Sequence, residues 1–89
     1  MAHHNQFAIR NDLSKPLILN IEPEGGFFPL GRGEEVFVFD VFTATPVTLK
    51  LGNSDRGEPV LSIWPGDGEV RVEKNGVDVL DLLQKEAGV

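Results

Sequence analysis

The stretch Glu34-Glu35-Val36-Phe37-Val38-Phe39-Asp40-Val41-Phe42, with the turn Gly31-Arg32-Gly33 just before it, constrains this chain more than any other. From Val36 onward every residue except Asp40 is valine or phenylalanine. So short an apolar run behind a glycine turn predicts a strand covered on both faces. Side chains alternate along a strand, which puts Val36 and Val38 on one side with Asp40, and Phe37, Phe39 and Val41 on the other.

The remaining segments read as shorter strands around this one. Residues 1–6 are polar and predict a frayed tail, with a first strand from Phe7 to Arg10 and a single β domain over residues 7–89. After a loop over residues 11–16, Leu17, Leu19 and Ile21 alternate with Asn20 and Glu22, until Pro23-Glu24-Gly25-Gly26 ends the strand. Phe27-Phe28-Pro29-Leu30 belongs at a sheet edge, because Pro29 cannot donate to a ladder. Val47 to Leu51 forms an amphipathic strand with Thr48 and Lys50 on its wet side, and Val60 to Trp64 forms another. Glu69 to Lys74 alternates charge with valine and runs into Asn75-Gly76, the residue pair that a type I′ hairpin turn demands. Beyond it, Leu80, Leu83 and Ala87 recur at helical spacing, with Gly88 where a helix would stop, which leaves two readings open: a short C-terminal helix closing the apolar face, or an arm reaching a second chain. About six to eight short strands with Gly/Pro turns predict an all-β, antiparallel β-sandwich, with a small barrel as the alternative.

Composition narrows the function classes. A chain of 89 residues is one domain, and its net charge of −6 opposes phosphate-backbone binding, so nucleic acid is set aside. With no cysteine there is no disulfide framework or thiolate chemistry, in keeping with a reducing cytoplasm. No apolar run reaches the ~18–20 residues of a membrane span, and no signal-peptide core stands at the N-terminus; no cofactor is implied.

One order of residues runs through most of the chain: Asn11, then Pro16-Leu17-x-Leu19-x-Ile21-Glu22-Pro23, Gly26 with Phe27 and Phe28, Leu30-x-x-Gly33-Glu34, and Ile63-Trp64-Pro65-Gly66 before the last hairpin. Spanning Asn11 to Asp78, it resembles a group of small bacterial all-β proteins. The resemblance implies a β fold of this kind, and neither an activity nor site residues.

Candidate sites are few. His3 and His4 are the only histidines, and near the terminal amine either could bind Cu(II) or Ni(II) together with backbone nitrogens; the competing reading is a mobile tail. Asn53 to Glu58 offers spaced oxygens like a Ca²⁺ loop, but Arg56 sits among them and the bidentate glutamate is missing, so a solvated turn is expected. Gly31-Arg32-Gly33 and Gly66-Asp67-Gly68 each precede a strand rather than a helix, which makes them turns and not phosphate cradles. Asp40 interrupts an apolar strand, and facing the core it needs an Arg or a backbone N–H to compensate it. An acid/base role would need a second positioned group, and none is in view. Trp64, with Phe27, Phe28 and Phe42, offers an aromatic platform for a sugar or peptide, against a core or half-buried reading. Phe27 and Phe28, being adjacent, face opposite ways.

The expectation is a non-enzymatic protein-interaction module, self-associating as a homodimer. The apolar strand would need cover beyond what so small a domain supplies, with Phe37, Phe39 and Leu83 at the contact. A small-ligand module built on Phe27, Phe28 and Trp64 is the alternative, and an enzyme using carboxylates alone comes last.

Overall fold

The computed structural model describes residues 2–87 and consists of two four-stranded sheets packed face to face, with one short helix. The strands are β1 (His3–Arg10), β2 (Leu17–Ile21), β3 (Gly26–Leu30), β4 (Glu35–Phe42), β5 (Thr48–Asn53), β6 (Pro59–Trp64), β7 (Glu69–Lys74) and β8 (Val77–Asp78), followed by α1 (Val79–Ala87). The first sheet has the order β1-β4-β7-β8 and the second β3-β2-β6-β5. This is an open sandwich, not a closed barrel.

The period-2 patterns build the core between the sheets. Val36 and Val38 of β4 and Val72 of β7 meet Leu17, Leu19 and Ile21 of β2, Phe28 and Leu30 of β3, and Leu61 and Ile63 of β6. Leu19, Leu30, Val36, Val38 and Ile63 are fully buried, each side chain contributing about 1.5–3 kcal/mol relative to exposure. Asn75 and Gly76 both adopt positive φ, 53° and 81°, as the type I′ turn between β7 and β8 requires. The chain then turns into α1, whose first turn is capped by Asp78: its Oδ1 accepts from the Leu80 N–H at 2.9 Å. Leu80 and Leu83 fit closely against β3 at Gly26. A β-carbon there would lie 3.0 Å from Leu83 Cδ1 and 3.2 Å from Leu80 Cδ2. Gly88 lies outside the described residues.

Four sequence expectations change. β4 is covered on one face only, because it is an inner strand of a two-layer sandwich with no third layer beyond it. β1 begins at His3 instead of Phe7, since residues 3–6 pair along β4 from Phe39 to Phe42. The sheets are not purely antiparallel: β2 and β6 run parallel, side by side. A parallel pair needs a crossover, and the chain makes it by passing through the other sheet as β4. Finally, both faces of β5 are wet. Leu49 and Leu51 point to the inner side yet are 41% and 81% exposed, because β5 is a sheet edge that reaches past the core.

Candidate functional site

Each sheet presents an outer face, and the alternation of its strands decides what stands there. On the first sheet, pairing sets three rows side by side: His4–Val41–Glu69, Gln6–Phe39–Arg71 and Ala8–Phe37–Glu73. Down the middle run Phe37, Phe39 and Val41, with Phe37 41% and Val41 38% exposed. The Arg71 guanidinium lies 5.3 Å from the centre of the Phe39 ring and also meets Glu73 at 2.6 Å. An apolar stripe thus lies between β1, whose outward residues include no carboxylate, and β7, which carries two.

The second sheet's outer face carries fewer charges, Lys50 being the one charged residue its strands turn outward. A row of Phe27, Asn20, Ser62 and Lys50 crosses all four strands. Phe27 is 62% exposed, and Trp64 stands one step along β6 with the Lys50 ammonium 5.3 Å from its ring centre. Beside this row a cleft of about 390 Å³ is lined by Phe27, Lys50, Gly52, Asp55, Val60 and Ser62 among others. Asn20 Oδ1 is buried and has no hydrogen-bond partner.

The engaged polar groups elsewhere, buried or exposed, hold loops. Asp40 is buried on the inner face, where its Oδ2 accepts from the Val47 N–H at 3.0 Å while Oδ1 has no partner. Asp67 accepts from the N–H groups of Thr43, Ala44 and Thr45 at 2.8, 2.7 and 3.1 Å, and these bonds, those of Thr43 and Ala44 foremost, hold its carboxyl below the usual carboxylate range. Glu34 is likewise held low, first by its hydrogen bond from Lys74 and then by that from the Gly31 N–H at 2.6 Å. Asn11, read from sequence only as a turn former, is buried and fully used. Its Nδ2 donates to the carbonyls of Lys15 and Leu30 at 2.9 and 2.8 Å, and its Oδ1 accepts from the Leu13 N–H at 2.8 Å. Nothing local in the sequence marks the Leu30 contact of Asn11 or the three N–H partners of Asp67, because those groups lie elsewhere in the chain.

The structure therefore sorts the sequence candidates. Phe37 and Phe39 share one outer face, and Phe27 and Trp64 share the other, so the contact residues and the aromatic platform lie on opposite sides of the sandwich. Phe28 is not a surface residue: at 9% exposure it packs in the core, because its parity along β3 is that of Leu30. Leu83 is not free for a contact either, since it packs from α1 against the core beside Gly26. Trp64 is 39% exposed and lies outside the core. His3 and His4 lie on β1 opposite Phe42 and Val41, while the terminal residue whose amine a Cu(II) arrangement requires is outside the described residues. Ser54 Oγ accepts from the Arg56 and Glu58 N–H groups, so the loop resembling a Ca²⁺ site closes on itself as a turn. No helix among the described residues is long and apolar enough to cross a membrane.

No family model, curated protein or solved structure matches the chain.

Proposed function

We propose that the protein is a non-catalytic contact module that pairs with a second copy of itself through the outer face of the first sheet. The observation that carries this reading is the stripe Phe37, Phe39 and Val41, aligned on an inner strand with no layer above it. Sheets pack face to face with their strands nearly aligned. A two-fold axis along β4 would stack stripe on stripe and lay β1 of each copy over β7 of the other. His4 and Arg10 of one copy would then lie toward Glu69 and Glu73 of its partner, so the strand without outward carboxylates meets the strand that carries two, with Arg10 also paired to Asp12 and Glu73 to Arg71 within each chain. A carboxylate enzyme has less in its favour: Asp40 and Asp67 are both engaged by backbone N–H groups.

Light scattering across a range of protein concentrations tests this. The expected result is a mass twice the 9.8 kDa of one chain, reverting to one chain in Phe37→Ser/Phe39→Ser. A wild-type protein that stays at the mass of one chain throughout rejects the pairing.

A further inference from the structure

The geometry points to a second site, on the opposite face and independent of self-association: a cleft for a small neutral saccharide between Phe27 and Lys50. Three observations meet there. Phe27, the most exposed large aromatic on the molecule's described surface at 62%, stands at one wall with its ring available for stacking. Gly52 lies in β5 on the outward side opposite Val60, with nothing within 4 Å of where a β-carbon would sit. A glycine inside a strand weakens it, and it often marks a place where a ligand approaches the backbone. Asn20, paired between the lining residues Phe27 and Ser62 but set beneath the cleft and not lining it, has a buried Oδ1 without a partner, and a ligand hydroxyl would supply the bond it lacks.

The chemistry of the lining selects the ligand class. One cation and one anion, Lys50 and Asp55, line the same cleft, so it offers little net attraction to an ion. Both side chains, with Ser62 and Asn20, make or accept hydrogen bonds of the kind hydroxyl groups exchange. The cleft is open rather than enclosed, which disfavours a wholly apolar ligand, whereas a pyranose has a C–H face for Phe27 and hydroxyls for the rest. Its volume of about 390 Å³ suits one or two rings, near the lower end of the ~300–1,000 Å³ usual for small-molecule sites.

Trp64 supplies the readout, being the only tryptophan and touching Lys50. Titration with cellobiose, maltose, lactose and chitobiose at millimolar concentration, followed by Trp64 emission and by calorimetry, should give saturable binding to at least one. Phe27→Ala should weaken that binding about tenfold. Gly52→Val, which projects into open space and leaves the fold intact by circular dichroism, should abolish it. Absence of binding to all four sugars overturns the proposal, and so does unchanged affinity in folded Gly52→Val. Either failure leaves the light-scattering result, and with it the pairing of the other face, untouched.

Discussion

Asn11 carries more of the fold than its place in a loop suggests, because one buried amide satisfies a carbonyl and an N–H of its own loop and ties that loop to the Leu30 carbonyl of β3. Asn11→Ala strands the Leu30 carbonyl in a buried site and should cost about 2–4 kcal/mol in urea unfolding. Asn11→Asp should cost at least as much, since a carboxylate would then face two carbonyl oxygens; an Asp variant as stable as wild type would contradict this role. Asp40 makes a different prediction. Asp40→Ala leaves the Val47 N–H without its acceptor and should lose about 1–3 kcal/mol. Asp40→Asn keeps an acceptor and removes a buried carboxylate whose Oδ1 is unpaired, so it should retain most or all of the stability.

Among the elements, the crossover from β4 to β5 depends on contact with the turn between β6 and β7. Asp67 gathers three N–H groups of that crossover, and the Asp67 N–H donates back to the Thr45 carbonyl at 3.0 Å. The two backbones approach so closely that a β-carbon on Gly66 would lie 1.8 Å from the Thr45 oxygen, and one on Gly68 1.7 Å from the Val41 oxygen. Gly66→Ala and Gly68→Ala should therefore each lower stability by about 3 kcal/mol or more, read as a lower urea midpoint or failure to fold. Asp78→Ala removes the cap of α1 and should cost about 1 kcal/mol, a loss that Asp78→Ser should largely restore.

For the whole molecule, acid is the telling variable. Glu34 and Asp67 are both held below their ordinary values when folded, so the folded state binds fewer protons than the unfolded one as pH falls through the carboxylate range. Their contribution is complete above the unfolded values of about 4 and is lost as pH drops through the lower folded ones. The urea midpoint should fall from about pH 5 to about pH 3, and Glu34→Gln/Asp67→Asn should flatten that dependence while lowering the midpoint near neutrality. Under the proposed pairing, salt should weaken association in so far as the exposed Arg10 and Glu69 contribute to it; association unchanged in high salt would leave the apolar stripe alone responsible.

Strand positions, the Asn75-Gly76 hairpin, the C-terminal helix and the inward set of β2 were legible in the chain itself, since each rests on residues within a few positions of one another: period-2 burial, positive φ at two adjacent sites, helical spacing of leucines. The opposed facing of Phe27 and Phe28 was legible for the same reason, although which of the two turned outward was not. Tertiary structure alone decided that β2 and β6 lie parallel, that β5 reaches past the core, and that the far face of β4 has no cover. It also brought Phe27 of β3 and Lys50 of β5 into one row across strands distant in sequence. Alternation fixes the two sides of a strand, but which side finds a partner depends on long-range pairing, and no local residue pattern encodes that.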